Sequence, residues 1–267
     1  MSILLIFGLF LLFSALVFVL GKIVARIYCY FMKYPSLIVI VRHAESIRNK
    51  LMEGQRFIPE EESVKFLKDI ADQDIPISPF GINQALVTGK KIKKKFGIFD
   101  AVYDSGYLRA KQTKDFLLKA YSKEELKNTE VISNFLIRER EAGYVFLMTE
   151  AEAENNFGWH KKFLKTVGEF YSRPVGGESL SDVRDRVFLF LDYLFKKRAG
   201  EKILLVTHGH VIKNIRCILE DITDNEFLEN FIIEPANCGV TVYEYEHFSG
   251  KLSLKSYDEI FWGSCDK

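Results

Sequence analysis

Two histidines occupy equivalent places in this chain. His43 follows the apolar run LIVIV in the string VRHAES, and His208 follows ILLV in VTHGH. In open α/β sheets ligands gather beyond the carboxyl ends of the strands, so two strands that each deliver an imidazole there point to one shared pocket. A neutral imidazole, with an unperturbed pKa of about 6.5, is a competent nucleophile near neutral pH. Either histidine alone could simply end a strand, and the neighbours decide otherwise. Arg42 precedes His43 and Asn49 lies shortly downstream, a guanidinium and an amide suited to holding a tetrahedral dianion. Gly209, after His208, lets backbone approach another group without Cβ interference.

The elements that must position these groups alternate. Short β-branched or apolar runs at Ser36 to Val41, Phe99 to Tyr103, Glu130 to Phe135, Ile203 to Thr207 and Gly239 to Tyr245 predict strands. Ser78-Pro79 is a strong helix start, and the stretch that follows runs to a stop at Gly97. Leu108 to Tyr121, Trp159 to Tyr171, Ser181 to Lys197 and His210 to Glu220 also read as helices. This alternation implies an α/β layered domain around a largely parallel sheet. Leu51 to Gln73, acidic at Glu60, Glu61 and Glu62, reads as a helical excursion with a solvated charged face.

Of the 267 residues 48% are hydrophobic and 27% charged, for a net charge of +1; that balance argues against a nucleic-acid binder. The 23 phenylalanines supply a sizeable core and exclude a mainly disordered chain. Cys29, Cys217, Cys238 and Cys265 are far apart and fit neither a zinc site nor a disulfide framework.

From Met1 to Gly21 there is no charged side chain, and about 20 apolar residues match the thickness of a bilayer. The run has no preceding Lys or Arg and no clear cleavage site, unlike a signal peptide. It predicts an N-terminal transmembrane helix, with residues 1–34 as anchor and 35–267 as the catalytic domain. Lys22, Arg26 and Lys33 follow the run, so the expectation is a single-pass membrane protein with that domain on the cytoplasmic side. Tyr28, Tyr30 and Tyr34 would form its interfacial belt.

R-H-x-E-S-x-x-N after one strand and T-H-G after another resemble the paired motif of the histidine phosphatase (phosphoglycerate-mutase-like) superfamily. DIPISPFGINQA (Asp74 to Ala85), DSGYLRAKQT (Asp104 to Thr113), PVGGES (Pro174 to Ser179) and PANCGVTVYEY (Pro235 to Tyr245) resemble further segments of that family in its order. The resemblance implies a three-layer αβα sandwich and a metal-independent, cofactor-free reaction through a phosphohistidine on His43. It implies a phosphate clamp of Arg42, Asn49, Arg109 and His208. It also implies a carboxylate acid in IREREAG (Ile137 to Gly143), which selects Glu139 with Glu141 as fallback. Arg138 and Arg140 beside it would lower its pKa, where an acid needs it raised. Arg48 stands where the family often has an aromatic, at the expected pocket rim.

The stretch between Glu139 and Glu178 is shorter than the substrate-enclosing segment associated with the sugar-acid mutases, which favours a phosphatase acting on a phosphorylated substrate of unknown class. Two alternatives are a phosphoglycerate-mutase-type phosphotransferase and a non-catalytic membrane adaptor with a phosphate pocket; the intact residue set argues against the latter. His208-x-His210 does not read as a metal pair, because the rings diverge on a strand-to-helix turn. Asp72-x-Asp74 does not end an apolar strand, as an aspartate nucleophile would. Walker and dinucleotide glycine motifs are absent.

Overall fold

The run LIVIV lies at the centre of a six-stranded sheet in the computed structural model of the protein, which describes residues 20, 33–52, 55, 57, 65–230 and 233–263. β1 (Leu37–Arg42) has β4 (Lys202–Thr207) parallel on one side and β5 (Val240–Glu246) antiparallel on the other. β2 (Ala101–Asp104) and β3 (Glu130–Ser133) extend the parallel half, and β6 (Lys251–Glu259) closes the opposite edge, giving the order β3-β2-β4-β1-β5-β6. The register is decisive for function. Arg42 pairs with Thr207, so the next residue on each strand is a histidine and the two leave the sheet as neighbours.

Eight helices appear among the described residues: α1 (Ile47–Met52), α2 (Pro79–Phe96), α3 (Leu108–Leu118), α4 (Glu150–Phe157), α5 (His160–Val167), α6 (Leu180–Lys197), α7 (Gly209–Glu220) and α8 (Asp224–Asn230). Alternation along β1 sends Ile38 and Ile40 to one face, where Val183, Val187 and Phe190 of α6 and Val211 and Ile215 of α7 cover them. Val39 and Val41 go to the other face, against Ile92 of α2 and Ala110 and Leu117 of α3. Each such fully buried aliphatic or aromatic side chain contributes about 1.5–3 kcal/mol, and the result is the three-layer αβα sandwich.

The helix ends follow local chemistry. Ser78 Oγ accepts the Gly81 N–H at 3.0 Å at the start of α2, and Gly97, at φ +75°, ends it. A capping box between Ser179 and Asp182 opens α6. α3 stops at Leu118, short of the expected Tyr121, whose hydroxyl instead donates to the Gly97 carbonyl at 3.0 Å. α5 is likewise shorter than the expected helix, ending before Gly168 at φ +88°.

The structure corrects the expectation of a membrane anchor. Among the described residues no helix is long and apolar enough to cross a membrane, and most of the stretch 1–34 lies outside the described residues. Tyr34, assigned to an interfacial belt, packs its ring against Phe195 of α6 at 4.9 Å and near Tyr245 of β5, and its carbonyl accepts the Gly200 N–H. The transmembrane helix, the membrane as partner and the single-pass placement thus find no support among the described residues, and the apolar run on which they rested lies outside them. Of the expected excursion from Leu51 to Gln73, much falls outside the described residues; a 3₁₀ turn at Asp72–Asp74 closes it.

Candidate active site

The pocket forms at the carboxyl ends of β1 and β4. The His43 N–H donates to the Thr207 carbonyl at 2.8 Å, and the His43 and His208 rings lie 5.0 Å apart between centroids. Both are buried. His43 Nδ1 stands 2.8 Å from the Ala44 carbonyl. A carbonyl only accepts, so Nδ1 carries the proton and Nε2 keeps its lone pair. Burial, then the charges of Arg109, His208 and Arg42, hold the His43 pKa well below its ordinary value, and the ring is neutral at neutral pH. His208 is lowered likewise, first by burial and then by Arg109. Its Nε2 lies 2.7 Å from Ser105 Oγ at the end of β2, and its buried Nδ1 has no hydrogen-bond partner among the described residues.

The loop carrying His43 is pinned from several directions. The Ala44 N–H donates to Thr113 Oγ1 of α3, and the Glu45 N–H to Gln84 Oε1 of α2, both at 2.9 Å. Gly81 allows the start of α2 to abut this loop, since a Cβ there would lie 2.3 Å from the Glu45 carbonyl. The Asn237 amide donates to the His43 carbonyl at 3.0 Å.

Arg42 donates to the Pro235 carbonyl. Arg109, buried at the start of α3, donates through Nη1 to the Asp72 carbonyl at 2.7 Å and to Asp72 Oδ1 at 3.0 Å. Asn49 Oδ1 accepts from Ser46 N and Oγ at 3.1 and 2.9 Å and from Asn237 at 3.3 Å. The charges of Arg42 and Arg109 both act on His43 and His208, so the four groups share one pocket.

Glu139 and Glu141 diverge. Glu139 Oε2 is 3.9 Å from His208 Nδ1, and Oε1 is 3.2 Å from His210 Nδ1. Burial favours its protonated form, but the His210 hydrogen bond and charge, the charge of His208 and the Arg140 backbone N–H outweigh that and hold the carboxyl well below its ordinary range. Glu141 instead accepts the Tyr107 hydroxyl at 2.9 Å. Arg138 and Arg140 are directed to Glu178, through its carboxylate at 2.6 Å and its carbonyl at 2.8 Å.

Sequence reasoning missed Ser105, Asp72, Asn237, His210 and Glu234. Ser105 had a usable signal, because it follows a strand as His43 and His208 do; the others gain their place only through tertiary packing. Gly209 meets the carboxylate of Glu234, which a Cβ would approach to 1.8 Å, and Lys213 Nζ holds that carboxylate at 2.5 Å. His208 and His210 take different partners, Ser105 and Glu139.

Comparison with known proteins agrees with this geometry. The profile of the histidine phosphatase superfamily (branch 1) matches residues 38–257. A 2,3-bisphosphoglycerate-dependent phosphoglycerate mutase of Parvibaculum lavamentivorans is 26% identical over 81% of this chain and 93% of its own. A phosphoglycerate mutase of Schizosaccharomyces pombe is 25% identical over 73% and 84%. Among solved structures, the alpha-ribazole phosphatase of Shigella flexneri superposes with a TM-score of 0.65 at 16% identity, covering 86% of this chain and 100% of that one. Phosphoserine phosphatase of Entamoeba histolytica, in complex with 3-phosphoglyceric acid, gives 0.61 at 22%, covering 84% and 96%. None of these matches identifies a class of phosphorylated substrate for this chain. The two strand-borne histidines, the sandwich around them and the profile match over 38–257 place the chain in the histidine phosphatase superfamily.

Proposed function

We propose that the protein is a phosphomonoesterase that works through a phosphohistidine on His43, with 35–267 as its catalytic domain. The observation that carries this reading is the hydrogen bond from His43 Nδ1 to the Ala44 carbonyl, which leaves Nε2 as a buried, neutral nucleophile. In the first step the Nε2–P bond forms as the P–O ester bond breaks, and Glu139 donates a proton to the departing oxygen. In the second step water attacks phosphorus, the N–P bond breaks and Glu139 takes the water's proton. The transferring group spreads negative charge over its equatorial oxygens, and Arg42, Arg109, the Asn49 amide and His208 Nδ1–H neutralise it.

By itself Glu139 is ionised. A phosphoryl dianion brought beside it favours the protonated carboxyl, so substrate itself arms the acid. Glu139 suits this part better than Glu141, since it is the carboxylate beside His208. His43→Ala is expected to abolish release of inorganic phosphate from p-nitrophenyl phosphate. Wild type quenched in alkali is expected to hold an acid-labile phosphoryl group on His43. Full turnover by His43→Ala would refute the reading.

The names of the sequence relatives favour a second reading, phosphoglycerate mutase. The short segment between Glu139 and Glu178, folded back so that the Glu178 N–H meets the Glu141 carbonyl at 3.0 Å, supports hydrolysis instead. Conversion of 3-phosphoglycerate to its isomer without free phosphate would reverse the choice.

A further inference from the structure

The arginines around the pocket differ in what they already hold. Arg42 has the Pro235 carbonyl, Arg109 has Asp72, and Arg138 and Arg186 have Glu178. Arg48 is different. It lies on α1 beside Asn49, and its guanidinium stacks on the Phe146 ring at 4.6 Å. Its Nε, like that of Arg42, is shielded from solvent with no hydrogen-bond partner, and among the described residues no hydrogen bond or carboxylate within ion-pair distance engages the rest of its guanidinium.

The charges that this guanidinium feels are those of Asp72, Arg109 and Glu139, all at the pocket. Burial pushes its pKa down, and the carboxylates of Asp72 and Glu139 offset this only in part, as for a cation drawn from water without a direct ion pair. Such a group carries a desolvation cost. It becomes favourable when an anion arrives, and a planar guanidinium held flat against a ring presents its edge nitrogens to a carboxylate or phosphate. The phosphoryl group undergoing transfer already has Arg42, Arg109, Asn49 and His208 to meet it.

We propose that Arg48 binds a second anionic group, on the part of the substrate that is not transferred, and so selects small phosphomonoesters that carry a carboxylate or a second phosphate. This rests on the phosphomonoesterase reading, yet it can be tested apart from turnover. Three ligands share a three-carbon chain and one phosphate and differ only in the tail: n-propyl phosphate, 3-(phosphonooxy)propanoate and 1,3-propanediol bisphosphate. Their dissociation constants are measured by calorimetry on His43→Ala protein, with and without Arg48→Gln.

At least one anionic tail is expected to tighten binding about tenfold over propyl phosphate, and Arg48→Gln to remove most of that preference. Which tail gains more tells carboxylate from phosphate. Absence of the preference, its survival in Arg48→Gln, or an equal loss for all three ligands would overturn the assignment; the last would make Arg48 part of the phosphoryl clamp. Phosphate release by the unmutated protein is followed in parallel. If it releases none while the Arg48-dependent preference holds, the phosphatase reading fails and the Arg48 assignment stands.

Discussion

Glu139, the acid of the proposed reaction, stands in surroundings that strip its proton, and the side chain most responsible is His210, 3.2 Å from its carboxylate. His210→Gln keeps a donor for that carboxylate and removes the charge. A group that lowers the Glu139 pKa is lost, so that pKa rises and the protonated acid persists to higher pH. The descending limb of kcat/KM against pH is therefore expected to move upward for an alkyl phosphate, whose leaving oxygen needs a proton. The shift should be smaller for p-nitrophenyl phosphate, whose leaving group needs little help. A limb that stays in place for both substrates would show that His210 does not set this proton affinity. At this scale the candidates His43, Arg42, Asn49, Arg109, His208 and Glu139 could be singled out in the sequence, because each sits in a short string beside a strand or helix start. Asp72 and Glu234 were not, since their contacts join segments far apart in the chain.

Strands and helices were legible where burial imposes a pattern. β1 and β4 are covered on both faces, so their sequences are continuous apolar runs, and α6 shows its cap and its apolar stripe together. The elements that escaped lack such a pattern. α4 reads EAEAENNF with only Ala153 buried, β6 is an edge strand with a register shift against β5, and α1 and α8 are one or two turns long. The contact between α2 and α3 offers a test at this scale. A Cβ on Gly89 would lie 2.4 Å from the Leu117 carbonyl and 2.8 Å from its Cα, so one helix must move. Gly89→Ala is expected to destabilise by about 1–3 kcal/mol, read as a lower midpoint in urea unfolding. An unchanged midpoint would mean that the two helices slide apart freely.

For the molecule as a whole, the buried histidines make stability depend on pH. Unfolded, His43 and His208 take up protons near pH 6.5; folded, both have pKa values held well below that. The unfolded chain therefore binds more protons in this window, and stability is full above about pH 6.5 and declines as pH falls, by up to about 1.4 kcal/mol per pH unit for each histidine. Urea unfolding between pH 7.5 and 5.5 should show this decline, and His208→Gln should make it shallower; identical slopes would exclude His208 as a source. The pairing of Arg42 with Thr207 has a wider meaning. It makes the separation of His43 and His208 a property of the main-chain ladder, set before any side chain is chosen. The groups that would choose among substrates, Arg48 and the segment around Phe146, lie off that ladder. With the proposed roles, reactivity and selectivity are held by different parts of the chain, and the second can diverge while the first stands still.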